Sequence, residues 1–186
     1  MKPLNILAIS GSLRKVSYNT AAIEALSRLA PDQVTVKVYR GLGDLPLFNP
    51  DLESQLPAAV ADLKSALAQS QGLIIASPEY AHGISGVMKN ALDWLVSGEE
   101  FVYLPVMLIN TSPRASHAQA ALREVVATMS GRIIDNACVS VPLLSSNLDM
   151  EGVIQTPEIA GPLQKGLQQF VAGIEAQGEA DDWASV

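Results

Sequence analysis

Apolar and polar positions alternate along the chain in blocks of two kinds. Leu4-Asn5-Ile6-Leu7-Ala8-Ile9 is a nearly continuous apolar run, the pattern of a central strand covered on both faces. Ala22, Ile23, Leu26 and Leu29 then recur at helical spacing, predicting a helix over 19–30. Pro31 closes it, because the residue before a proline avoids the helical region. Val34, Val36 and Val38 alternate with Thr35 and Lys37, which reads as a strand with one more exposed face. A long loop over 41–56, rich in Pro, Gly and Asp, leads to a helix over 57–69 with Pro57 in its first turn. The run 72–76 predicts a third, buried strand, followed by a loop at 77–85 and a helix over 86–96. A fourth strand is expected at 105–110, a fourth helix at 118–130 and a fifth strand at 133–141. A loop over 142–156 precedes a last helix over 157–177. The acidic end, 179–186, is expected to be disordered.

Five strand–helix units in regular alternation imply one α/β domain over residues 1–186, a parallel sheet with helices on both faces and right-handed crossovers. A closed eight-fold barrel would need a longer chain, which leaves an open, doubly wound sheet. Such sheets bind ligands beyond the carboxyl ends of their strands at the topological switch point. The loops after strands one, three and four are therefore where function is expected.

Composition narrows the class. Nearly half of the 186 residues are apolar, enough for a core. The formal net charge of −7 argues against a nucleic-acid partner, which would need a basic face. The single cysteine, Cys138, allows no intrachain disulfide and fits a reducing compartment. The first apolar run is too short to span a membrane, and no signal-cleavage pattern follows it, so the chain reads as cytoplasmic with no membrane partner.

The loop after strand one, Ser10-Gly11-Ser12-Leu13-Arg14-Lys15-Val16-Ser17-Tyr18-Asn19, is dense in hydroxyls and carries two cations in an acidic protein. It opens onto a helix N-terminus, where unpaired N–H groups and the positive end of the dipole suit a phosphate. Ser12, Ser17 and Asn19 can donate further hydrogen bonds and Arg14 a charge-assisted one. Ser17 or Asn19 as a plain helix cap is the simpler role, and the two roles are compatible. Neither G-x-x-x-x-G-K-[ST] nor G-x-G-x-x-G is present, which disfavours a P-loop nucleotidase and a tightly held dinucleotide. A monophosphate suits this loop better than a pyrophosphate.

The loop after strand three reads Ser77-Pro78-Glu79-Tyr80-Ala81-His82-Gly83-Ile84-Ser85-Gly86. Pro78 stiffens its start, and Gly83 and Gly86 are expected to let the backbone approach a ligand. A rigid loop with an exposed aromatic at the switch point fits the edge of a flat ring.

Together GSLRKVSYN and SPEYAHGISGVMKNALDWL resemble the NADPH-dependent FMN reductase family, whose flavin, quinone, azo and chromate reductases share a flavodoxin-like fold. The resemblance implies a five-stranded sheet of order 2-1-3-4-5, bound FMN, and NADPH or NADH as transient donor. It implies that Ser12, Arg14, Ser17 and Asn19 hold the FMN phosphate, helped by the backbone of Leu13, Lys15, Val16 and Tyr18. Pro78, Glu79, Tyr80 and Ala81 would line the isoalloxazine, with Ser112 in the loop after strand four as a further contact. The sequence departs from the family at Val16, where many relatives have Gly, and at Ala81-His82, where an Asn often follows the Tyr. Trp94 and Leu95 read as core or interface. The family's subunit contacts imply a homodimer or homotetramer.

The chemistry belongs to the flavin: hydride passes from a nicotinamide to FMN and on to a small acceptor such as a flavin, quinone, azo compound or chromate. No catalytic acid or base is therefore assigned. His82 is the one titratable group near the ring that could pass a proton, and a structural hydrogen bond is its plainer role. His117 reads as a surface residue, Cys138 as core, and two separated histidines predict no metal cluster. The main rival is a non-enzymatic electron carrier or flavin-binding regulator on the same fold. A nucleotide-processing hydrolase is the second, for which Glu79 is the one obvious carboxylate.

Overall fold

The computed structural model describes the backbone of residues 3–184 and the side chains of residues 3–178. Strand β1 (Leu4–Ser10) leads to helix α1 (Tyr18–Leu29), β2 (Val34–Tyr39), α2 (Ala58–Ala68) and β3 (Gly72–Ala76). A hairpin β4 (Glu79–Tyr80) and β5 (Gly83–Ile84) precedes α3 (Gly86–Leu95), β6 (Pro105–Asn110) and α4 (Ser116–Thr128). Then come β7 (Arg132–Ile133), β8 (Val139–Ser140), α5 (Met150–Gln155) and α6 (Pro157–Ala184). The sheet runs β2-β1-β3-β6-β7, with β8 also on β6, and every pairing in it is parallel. This is the expected 2-1-3-4-5 order, so β1 and β3 meet at the switch point, where successive connections leave in opposite directions.

Side-chain alternation in the strands divides the core in two. Ile6, Ala8, Ile74 and Ile109 pack on α1, α5 and α6, while Leu7, Ile9, Leu73, Ile75 and Leu108 pack on α2, α3 and α4. Trp94 and Leu95 are fully buried in the second layer. The long loop after β2 is ordered by that layer. It forms two short 3-10 turns (Gly41–Asp44 and Pro50–Gln55), and the Pro46 carbonyl accepts from Trp94 Nε1 at 2.8 Å and Asn90 Nδ2 at 2.9 Å.

Three elements correct the sequence reading. The segment 77–85 is not an open loop but carries the β4–β5 hairpin. The expected strand at 133–141 is broken by a 3-10 turn, Asp135–Ala137. Pro105 lies opposite Arg132 but Ile109 lies opposite Val139, so the edge strand carries three more residues than its neighbour over that stretch. Leu108 N donates to Cys138 Sγ at 3.4 Å where the ladder is interrupted. Cys138 thus sits half-buried beside the turn rather than inside a strand, and burial pushes its thiol up, away from the nucleophilic thiolate. The loop 142–156 also holds the one-and-a-half-turn helix α5, capped by Asp149. The backbone of α6 extends to Ala184, while the side chains of the tail from 179, which the sequence reading expects to be disordered, and residues 185–186 altogether lie outside the described residues.

Candidate functional site

A cleft of about 300 Å³ opens beyond the carboxyl ends of β1, β3 and β6. One wall is the β1–α1 loop. Gly11 N donates to Ala76 O at 2.8 Å, extending the β1–β3 ladder one residue into this loop. Ser12 N donates to Ser10 Oγ at 3.3 Å, and Arg14 N to Ser12 Oγ at 3.4 Å. Ser17 is the N-cap of α1, its Oγ accepting from Thr20 N at 3.3 Å. That role leaves its hydroxyl proton free to donate. The first turn of α1 carries no acidic residue, so the positive end of the dipole is not cancelled locally.

Asn19 is buried, and its Oδ1 accepts from Thr111 Oγ1 at 3.1 Å. This bond ties the first loop to the loop after β6 and leaves the Asn19 amide donors for a ligand. Tyr18 OH accepts from Asn147 N at 3.2 Å and is tied back into the fold.

The opposite wall is the Pro78-Glu79-Tyr80 ledge, with Ser112 and Arg114 closing the β6 end. Tyr80 is 53% exposed, an aromatic face open to the cleft. Glu79 does not present a free carboxylate: its Oε2 accepts from Ala118 N at 2.8 Å in the first turn of α4. Helix α4 has no cap from its own N-terminal residue Ala115, so Glu79 supplies one from across the site. The hydrolase reading's one candidate carboxylate thus has a structural role, one of its oxygens holding the first turn of α4.

Ser12, Arg14, Ser17, Tyr18, Asn19, Pro78, Glu79, Tyr80 and Ser112 all line this cleft. Leu13, Lys15 and Val16 face a separate groove on the far side of the loop. Ala81 and His82 line neither and form the tip of the hairpin. Both adopt positive φ, 48° and 62°, the signature of a type I′ turn. The glycines nearby do not: Gly83 and Gly86 have ordinary φ, so the left-handed demand falls on side-chain-bearing residues instead. Asn at position 81 accepts this conformation better than Ala. Ala81→Asn is expected to stabilise the fold by roughly 0.5–1 kcal/mol. An unchanged or lowered midpoint in urea unfolding would show that no strain is stored there.

The two histidines are not separated in space. The His82 and His117 rings stack with centroids 4.4 Å apart and planes 21° from parallel, joining the hairpin tip to the start of α4. Sequence reasoning also missed Ser77, Asn110 and Leu144 in the cleft. Leu144 comes from the segment after β8, which carried no sequence signal at all.

The donor set tests whether FMN fits. Two serine hydroxyls, the Asn19 amide, Arg14 and a helix N-terminus converge at one end, and an exposed Tyr beside a proline-stiffened ledge lies at the other. A phosphate and a flat ring joined by a polyhydroxyl chain match these two ends.

The comparisons with known proteins agree. The sequence model of the family described as NADPH-dependent FMN reductase matches residues 4–143. A 2-hydroxy-1,4-benzoquinone reductase from Burkholderia sp. is 31% identical over 181 residues, covering 92% of this chain and 96% of the relative. An NAD(P)H-dependent FMN reductase of Pseudomonas aeruginosa is 28% identical over 171 residues, covering 89% and 92%. Among solved structures, the flavoenzyme NAD(P)H:(acceptor) oxidoreductase FerB from Paracoccus denitrificans superposes with a TM-score of 0.79 at 28% identity, covering 93% of this chain and 98% of that one.

Proposed function

The chain belongs to the NADPH-dependent FMN reductase family, and from that premise we propose how its own residues serve the reaction. The observation that carries the reading is the two-ended cleft, a phosphate cradle at one end and a ring ledge at the other, at the switch point of the sheet. The chemistry FMN supplies when bound is hydride exchange between NAD(P)H and a small acceptor.

The protein's part is positioning. Ser12, Ser17 and Arg14, with backbone N–H groups of the loop and of α1's first turn, hold the phosphate. Asn19, locked by Thr111, offers its amide to the same end. Pro78, Tyr80 and Ser112 fix the ring. Glu79 acts at one remove: by capping α4 it pins the ledge to that helix. Stacking on His117 restrains the hairpin tip, which keeps His82 outside the cleft. The second substrate is a small acceptor of the quinone or flavin kind, entering over the exposed Tyr80 and Leu144. We place the protein in the cytoplasm, without a nucleic-acid or membrane partner, as a homodimer or homotetramer. Exposed apolar side chains at the cleft mouth support the oligomer.

The test is the absorbance spectrum of the FMN-loaded protein under anaerobic conditions. Bleaching on addition of NADPH or NADH, and its reversal by a quinone, is the expected result. Bound flavin that neither nucleotide reduces would make this chain a carrier or sensor. Failure to bind FMN would remove the whole assignment.

A further inference from the structure

The phosphate loop has a second face. On the side away from the flavin cleft, a groove of about 360 Å³ runs between the start of α1, the end of β2 and the start of α5. Arg14, Lys15 and Arg40 all line it, a concentration of cations in a chain of net charge −7. The groove's two carboxylates are engaged. Asp149 Oδ1 accepts from Gly152 N at 2.9 Å as the cap of α5, and Glu24 Oε1 accepts from Arg40 Nη2 at 2.5 Å. Arg14 and Lys15 make no ion pair among the described residues. The remaining lining includes the apolar Val38, Leu42 and Met150, and Tyr39. Burial, reinforced by Asp62, pushes Tyr39 up to about 12, so it brings no charge.

Apolar walls beside free cations suit a phosphate carried on a nucleoside. Arg14, Ser12 and Ser17 line both this groove and the flavin cleft, so a ligand crossing the loop passes from one to the other along continuous protein surface. A nicotinamide nucleotide whose ring lay against the flavin would have to carry its adenosine end out of that cleft, and this groove adjoins the cleft across the loop. NADPH differs from NADH there by one phosphate monoester, worth roughly −1.5 to −2 charges at neutral pH. We propose that this groove receives the adenosine 2′-phosphate of NADPH, with Lys15 and Arg40 as its cationic contacts, and so selects NADPH over NADH. The proposal rests on the reductase reading of the neighbouring cleft.

Glu24 gives the test its sign. A 2′-phosphate competes with Glu24 for Arg40, so the two partners of one ion pair act on NADPH in opposite directions. Arg40→Gln is expected to lower the ratio of kcat/KM for NADPH to that for NADH about tenfold, the scale of one charge-assisted contact. Glu24→Gln frees Arg40 and removes a repelling charge, and is expected to raise the ratio by about threefold. If the pair served only to hold α1 to the end of β2, both variants would break it and move the ratio the same way. That outcome, or no change in either variant, overturns the proposal.

Calorimetry with adenosine 2′,5′-bisphosphate on the FMN-loaded protein provides a second readout that needs no turnover. Its affinity is expected to fall in Arg40→Gln and rise in Glu24→Gln, and no detectable binding to the unsubstituted protein overturns the proposal. If Arg40→Gln loosens FMN by the same factor, the groove belongs to the flavin and the proposal is wrong. Should neither nucleotide bleach the flavin while the bisphosphate still binds with these signs, the reductase reading fails and the phosphate subsite stands.

Discussion

Replacing Arg14 with alanine is expected to weaken FMN binding by roughly 1.5–3 kcal/mol, the range for hydrogen bonds to a charged group, or about ten- to a hundredfold in Kd. The Arg14 backbone N–H is spent on Ser12 Oγ, but its side chain makes no ion pair among the described residues. Its guanidinium therefore has no protein carboxylate to leave before meeting a phosphate. Lysine would keep the charge and lose the planar fork, so Arg14→Lys is expected to fall between the two. Added salt is expected to weaken the unsubstituted protein more than the alanine variant, because only the former carries this screened contact. A flavin titration of the apoprotein reads all of this, and an unchanged Kd for Arg14→Ala would detach the side chain from the phosphate. Arg14 also lines the second groove, so its loss is expected to disturb NADPH as well as FMN. Arg40 lines that groove and not the flavin cleft, which is why it serves as the cleaner probe there.

Elements with a strong signal in one short stretch were legible; those with a weak local signal, and those defined by a partner elsewhere, were not. The strand at 72–76 and its pairing between β1 and β6 follow from five consecutive buried residues between turn signals. The break in the edge strand had a local sign, Asp135-Asn136, two residues poorly suited to a strand, but the apolar residues on either side masked it. The β4–β5 hairpin escaped because its turn uses Ala81-His82 where the favoured residues are Asn and Gly. The phosphate loop was readable as hydroxyls before a helix. Which of its faces each residue serves was not, because that depends on β2 and α5 packing behind Lys15 and Val16. Glu79 showed the same limit most clearly. As sequence it was a free carboxylate beside a ring, and only the placement of α4, nearly forty residues on, turns it into a helix cap. The His82–His117 contact likewise exists only once the hairpin lies on α4.

A methyl group at position 11 is expected to destabilise the protein by roughly 1–3 kcal/mol, as over-packing does, and to impair FMN binding as well. The reason is steric rather than conformational, since Gly11 has no positive φ. A Cβ there would lie 2.7 Å from Ser77 Oγ, 2.8 Å from Ser85 Oγ and 3.1 Å from Ser77 Cβ. Neither serine can simply turn away. Both are buried; Ser85 Oγ accepts from Met88 N and caps α3, and Ser77 Oγ donates to the Pro78 carbonyl. Losing the α3 cap alone costs about 1 kcal/mol. The alternative is for the loop to retreat, which breaks the bond from Gly11 N to Ala76 O that seats the phosphate cradle beside β3. Ser77 and Ser85 bracket the segment that carries the ring ledge, so Gly11 sets how closely the two ends of the flavin cleft approach. Urea unfolding of the apoprotein with a parallel flavin titration separates the two consequences. Trimming the obstacle should recover part of the loss, so Gly11→Ala and Ser77→Ala are expected to couple by at least about 0.5 kcal/mol in a double-mutant cycle. Strictly additive effects, or a Gly11→Ala protein as stable as the parent, would mean that the two loops do not meet at this glycine.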